Sequence, residues 1–234
     1  MAVLVTRPTI YATDIYPNCV YLPLIKNVAH QTETYLQAIQ SVNSYHIIIF
    51  VSSFAVHTVM PNLIKLSYSK NIKFFAIGKA TATALKKYHI NAKYPIANSC
   101  SESLLALADL QNVSYKRIMI FCSHQGRTKI QDILRQRKAW VNSVPVYTTT
   151  NISYNLEELQ QKLDGYNISY LTATSYKILI SLKKIIKKYN TSWYDLPLVV
   201  PSQRLYDIAK SSSFHTVILS SSASIEDILL SIDN

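Results

Sequence analysis

An α/β fold built on parallel strands is what this sequence predicts, and three observations carry that expectation. Short runs that are apolar almost throughout, such as HIIIFV at 46–51, recur along the chain. A strand without polar alternation is one buried on both faces. Each run is followed within a few residues by a serine, threonine or glycine and then by helical spacing. The order is strand, loop, helix, repeated, as in a parallel sheet with helices packed on it.

Taken in order, AVLVT (2–6) is the first strand, and HIIIFV leads to SSFAVHTVM, a helix opened by serine. KFFAI (73–77) leads through Gly78 to the helix TATALKKY, and RIMIFC (117–122) leads through SHQG to a helix from about Arg127 to Arg137. VNSVPVYTTTNISY (141–154) is polar and β-prone without a helix signal, so it reads as a connecting strand. ISYLT (168–172) precedes a helix at Ser175–Tyr189, and LPLVV (196–200) precedes QRLYDIAKS. VILS (217–220) precedes a last helix, with Ser224 and Asp227 spaced as a capping box. FVSSFAV then FFAIGKATATAL is echoed by LTATSYKIL then LVVPSQRLYDIA, which points to two lobes.

With 234 residues, 49% hydrophobic and 16% charged, the chain builds a real core as two small domains or one large one, and disorder is excluded. No signal peptide or membrane-spanning run is visible, the longest apolar runs being strand-sized. Three widely spaced cysteines without a CxxC pair fit reduced thiols in the cytoplasm, and the six histidines show no metal-ligand spacing. The net charge of +11 implies a nucleic acid or a small polyanion. The densest basic cluster, Lys183, Lys184, Lys187 and Lys188, falls opposite the apolar stripe Ile178, Leu179, Leu182, Ile185 and Ile186, which reads as a solvated helix face. Two further function classes stay open on charge and architecture: a non-catalytic small-polyanion binding module, and a basic nucleic-acid-binding accessory protein.

Conventional catalytic sets are missing: GxSxG, a phosphate-binding Walker loop, HExxH and GxGxxG do not occur. Cys122 lies near His124, but a cysteine at a strand end reads as core. An enzyme with this sequence therefore has a site of hydroxyls, amides and a few cations, and positioning of a reactive substrate carries its rate. Ser52, Thr81, Arg127, Ser175 and Ser202 all sit just past strand ends, the edge at which open α/β sheets bind ligands. Each alone is a helix cap. Gly78, one of only three glycines, lets the backbone approach something closely, either a ligand or simply a tight turn.

VLVTRP (3–8), FVSSFAV (50–56), FFAIGKATATAL (74–85), IFCSHQGR (120–127), VPVYTTT (144–150), TATS (172–175) and SQRLYDIA (202–209) occur in the order seen in the uroporphyrinogen-III synthase family, which the chain resembles over nearly its whole length. YPIANSCSESLL (94–105) is similar to the family's segment between its second and third signatures. The resemblance implies a cofactor-free, metal-free cyclising lyase. It closes linear hydroxymethylbilane to uroporphyrinogen III through a spiro intermediate, with loss of water and inversion of the last pyrrole ring. It also implies two flavodoxin-like lobes, residues 1–22 with 152–234 and an inserted 30–143, joined by hinge strands at 23–29 and 144–151. An octacarboxylate substrate between the lobes accounts for the positive charge, with transient hand-over from hydroxymethylbilane synthase to a monomer in the cytoplasm, and no nucleic acid or membrane partner.

Carried over by position, the resemblance makes Tyr147 the residue that assists hydroxyl departure. Ser52, Gly78, Thr81, Gly126, Arg127 and Ser175 match the family's binding motifs. Arg7, Ser53, Lys79, Thr174, Ser202 and Arg204 complete the expected substrate contacts. The sequence departs from the family at Cys122, Ser123 and Gln125, which replace an arginine and two glycines, and at Leu205, where threonine is common. The interval 9–22 is short for the family's first helix.

Overall fold

The computed structural model describes residues 2–8, 16–96, 99–126 and 128–233. Among these the strands are β1 (Ala2–Val5), β2 (Cys19–Tyr21), β3 (Ile25–Ala29), β4 (Ile47–Phe50) and β5 (Lys73–Ala76), followed by β6 (Arg117–Ser123), β7 (Trp140–Asn151), β8 (Ile168–Thr172), β9 (Leu198–Val200) and β10 (Val217–Leu219). The helices are α1 (Glu33–Gln40), α2 (Ser53–Leu63), α3 (Lys79–Lys86), α4 (Ser101–Leu105) and α5 (Ala108–Gln111). They continue with α6 (Lys129–Gln136), α7 (Leu156–Leu163), α8 (Tyr176–Tyr189), α9 (Gln203–Lys210) and α10 (Ile225–Leu230). None of the described helices is long and apolar enough to cross a membrane.

Two compact units result, Met1–Lys26 with Thr150–Asn234, and Asn27–Thr149. The chain passes from one to the other inside β3 and inside β7. The first unit holds a sheet in the order β2-β1-β8-β9-β10, every neighbouring pair parallel. In the second the order is β5-β4-β6-β7-β3, parallel from β5 to β7. Backbone bonds from His30 N to Val146 O and from Ile152 N to Leu24 O flank β3 and run in opposite senses along the two strands. Each unit thus carries the order 2-1-3-4, with a fifth strand beyond, of a flavodoxin-like sheet.

Apolar strands make these sheets because both faces are covered. Along β1, Ala2 and Leu4 enter one core with Leu171, Leu179 and Leu198, while Val3 and Val5 enter the opposite one with Ile225. In the second unit Ile48, Phe50, Phe74 and Met119 face α1, α2 and α3, whereas Ile47, Ile49, Phe75 and Ile118 face α4, α5 and α6. The two-residue period of a strand sorts consecutive side chains onto opposite faces. Burying each such side chain contributes about 1.5–3 kcal/mol.

Most helices start on the residue the sequence marks. Ser52, Ser175, Ser202 and Ser224 are N-caps whose hydroxyls accept from Ala55 N (3.1 Å), Ile178 N (3.3 Å), Leu205 N (3.4 Å) and Asp227 N (3.1 Å). The expected capping box at Ser224 is completed differently. The Ser222 hydroxyl accepts from Ser224 N at 3.1 Å and donates to the Asp227 carboxylate at 2.5 Å, so it bridges the cap residue and Asp227. A full capping box forms instead at α7, where Asn155 accepts from Glu158 N at 2.8 Å and Glu158 accepts from Asn155 N at 2.7 Å. Of the α8 lysines, Lys184, Lys187 and Lys188 are exposed, as a solvated face requires. The interval 9–22 holds β2, and its residues 9–15 lie outside the described residues.

Candidate active site

In sheets of this order ligands bind outside the carboxyl ends of the strands, where the connections diverge to opposite faces. In the first unit that point lies between β1 and β8. Thr6 donates to Thr172 O at 2.6 Å and Thr172 donates to Leu4 O at 2.9 Å, both hydroxyls fully buried. This reciprocal staple fixes the two strand ends from which Arg7, Thr174 and Ser175 emerge. Ser175 caps α8, and Ser202 with the exposed Arg204 opens α9 on the neighbouring strand β9. Arg7 is half-buried near Cys19, Tyr21 and Glu226: burial raises the Cys19 and Tyr21 pKa values and the Arg7 charge opposes that rise only in part, while Glu226 is lowered. For Glu226 the larger cause of its lowered pKa is the hydroxyl of Tyr16, 2.6 Å away. Leu205, the departure from the family threonine, turns inward and is 6% exposed in the core.

In the second unit the corresponding point lies between β4 and β6, and it gathers Ser52, Ser53, Ser123 and Tyr147. A register shift sets the geometry: Cys122 pairs with Pro145 but Ser123 pairs with Tyr147. Proline cannot continue the ladder, and a bulge re-aims the side chains beyond it. Val146 and Tyr147 therefore both enter the same core, where strict alternation would send them to opposite faces. The Tyr147 ring packs edge-on against Phe54 at 5.0 Å, and its hydroxyl bonds to that of Ser52. Burial raises the Tyr147 pKa, the Ser52 bond opposes that rise, and nearby Cys122 adds to it. The phenol is a proton donor at neutral pH. Burial likewise pushes the Cys122 thiol up, which disfavours its thiolate.

The loop after β6 is built on Ser123. Its carbonyl accepts from Gly126 N at 3.0 Å and its hydroxyl from Gln125 N at 3.4 Å, and a Cβ on Gly126 would stand 3.0 Å from that carbonyl. Arg127 lies outside the described residues.

After β5, the close approach that Gly78 permits is to Ser99. A Cβ there would lie 1.9 Å from Ser99 Oγ and 3.1 Å from its Cα. The chain's own packing accounts for this glycine, whose φ of −176° is ordinary extended backbone. Lys79 is exposed in the first turn of α3, and Thr81 is 4% exposed. The sequence pattern brings together Ser52, Ser53 and Tyr147, and separately Arg7, Thr174 and Ser175. It missed Ser123, although the same strand-end rule that selects Ser52 selects it, and it missed Phe54 and Ser99, which only long-range packing reveals.

The family described as uroporphyrinogen-III synthase HemD matches residues 17–229. The chain is similar to the uroporphyrinogen-III synthase of Proteus mirabilis, 26% identical over 193 residues, which are 78% of this chain and 97% of that protein. It is 31% identical over 149 residues to the Escherichia coli (strain K12) uroporphyrinogen-III synthase, covering 62% of this chain and 60% of that one. The match therefore spans about three-fifths of that second relative. Among solved structures it resembles the uroporphyrinogen-III synthetase of Helicobacter pylori 26695, with a TM-score of 0.65 and 15% identity over 99% of this chain and 98% of that one. A mutant uroporphyrinogen III synthase from Thermus thermophilus gives a TM-score of 0.60 and 11% identity over 92% and 88%. At those identities the likeness shows the fold.

Proposed function

The chain belongs to the uroporphyrinogen-III synthase family, and from that premise we propose how its residues carry the activity. It is a cyclising lyase of tetrapyrrole synthesis, acting on hydroxymethylbilane; neither a non-catalytic polyanion module nor a nucleic-acid-binding protein is favoured. The propionate and acetate groups of that substrate are taken up at the switch points. There Ser52 and Ser53 in one unit, and Thr174, Ser175 and Ser202 in the other, stand at helix starts. Amide N–H groups and the positive end of the helix dipole favour a carboxylate in such places. Arg7, Lys79, Arg127 and Arg204 add the cations. What supports this reading most is a single repeated arrangement, hydroxyl-capped helix starts at the switch point of both sheets.

Ring closure begins when the terminal hydroxyl leaves as water and an azafulvene cation remains. The Tyr147 phenol donates its proton to the departing oxygen. Hydroxide is far more basic than a phenolate, so a phenol held above its usual value still protonates it. Ser52 Oγ accepts the Ala55 N–H, which leaves its own proton for the phenol oxygen. We take the protein to act as a cytoplasmic monomer that receives its substrate directly from hydroxymethylbilane synthase. Three free thiols and the spontaneous closure of the substrate to the type I isomer support that view. Incubation with freshly made hydroxymethylbilane tests the function: the type III isomer is expected, and formation of type I alone overturns it.

A further inference from the structure

Several bases of the Asn27–Thr149 unit lie at the end of its sheet that the cyclisation does not use. His46 and Lys116 immediately precede β4 and β6, and Lys73 and Arg117 open β5 and β6, so a base stands at or just before the start of each of these strands. All lie at the amino-terminal edge, away from Ser52, Ser123 and Tyr147 at the carboxyl ends. Two cavities of about 310 and 370 Å³ open along that edge, with Lys73 in the wall of both.

We propose that the larger cavity is a binding site for a small amphipathic anion, a phosphate ester carrying a planar ring. Lys70, Lys73, Lys93 and His89 line it from segments on either side of α3. Asp109 accepts from Lys73 Nζ at 2.8 Å and from Lys93 Nζ at 2.6 Å. Those two lysines hold its carboxyl down at about 2, so it is a permanent anchor at neutral pH. An ammonium has three N–H donors. With one committed to Asp109, two remain on each lysine, whose side chains are largely exposed and open to a ligand. Three lysines against one carboxylate leave a surplus of positive charge, with His89 a further donor.

The other wall is apolar. Tyr68 is half-buried and packs edge-on against Phe74 at 5.8 Å, beside Ile90. Phe74 and Ile90 are already buried, so the face this wall offers to solvent is that of Tyr68; a bare oxyanion leaves it uncovered, whereas a ring attached to the phosphate packs on it. Cations on one side and an aromatic side chain on the other are a common make-up of a small-molecule site.

Isothermal titration of the full chain with adenosine 5′-monophosphate, adenosine and inorganic phosphate tests this. The monophosphate is expected to bind saturably, at least tenfold tighter than either fragment. Lys70→Glu, a change at an exposed residue, is expected to weaken it tenfold or more, and Ser52→Ala to leave it unchanged. Equal affinity for phosphate alone, insensitivity to Lys70→Glu, or loss in Ser52→Ala would each overturn the assignment, the last by placing the anion at the carboxyl edge.

Discussion

Replacing Tyr147 by phenylalanine removes one oxygen and leaves the ring on Phe54. In the resting protein that oxygen makes a bond to Ser52. A neutral hydrogen bond contributes about 0.5–1.5 kcal/mol, and Ser52 keeps its bond from Ala55 N in the variant. The melting temperature should therefore fall by no more than about 2–4 °C, the shift expected for roughly 1 kcal/mol in a chain of this size. The departing oxygen gains negative charge as its carbon bond breaks, and a hydrogen bond to a charged group is worth about 1.5–3 kcal/mol. At about 1.4 kcal/mol per factor of ten, that is a loss of roughly 10- to 200-fold in kcat. The effect belongs to the transition state, so KM should hardly move. Initial rates of type III formation over a range of substrate concentrations, alongside a thermal melt, provide the assay. A kcat within twofold of the parent, or a change confined to KM, would refute the reasoning and leave Tyr147 a packing residue of β7.

Three further outcomes are expected. Gly78→Ala forces a Cβ into Ser99 and should lower stability by roughly 1–3 kcal/mol, as overpacking does; adding Ser99→Gly should restore part of the loss, and an unchanged melting temperature for the single variant would contradict the packing account. KM for hydroxymethylbilane should rise with ionic strength more steeply than folding stability falls, since the binding contacts join opposite charges near solvent; a flat KM between low and high salt would count against electrostatic binding. Asp109 has its carboxyl lowered from 3.8 to about 2, so its contribution to stability is present above pH 3.8 and disappears as the pH falls towards 2. Its lysine partners are largely exposed, so the contribution is small and weakened by salt. Urea melts of Asp109→Asn should show a deficit near pH 6 that closes between about pH 4 and pH 2, and a deficit independent of pH would exclude the ion-pair origin.

The central strands were legible because IIIF, KFFA and RIMIF carry apolar side chains on both faces, and only a doubly covered sheet rewards that pattern. The serine-capped helices were legible for a local reason, since a cap and the amide it satisfies lie three residues apart. β2 escaped because CVY is three residues at a sheet edge, too short for alternation to register. α1 and α7 escaped because ETYLQAIQ and LEELQQKL are mostly polar, although Asn155 and Glu158 spell out a capping box. The site was legible as a set of strand-end hydroxyls and no further. Gly78 announced a close approach without naming Ser99, which lies twenty-one residues on in the chain. The face on which Tyr147 sits depends on the slip at Cys122, and a side-chain period of two carries no trace of it. The bases at the starts of β4, β5 and β6 were in plain sight, but they precede strands, and attention to carboxyl ends passes over them.

The claim that binding and chemistry reside at the carboxyl ends of both sheets has a direct test in amide hydrogen exchange, measured with and without uroporphyrinogen III. Exchange should slow in peptides covering 51–56, 122–126, 145–148, 172–179 and 201–206, in both units. Protection confined to 68–74 and 89–93, at the amino-terminal edge of the second sheet, would contradict the account.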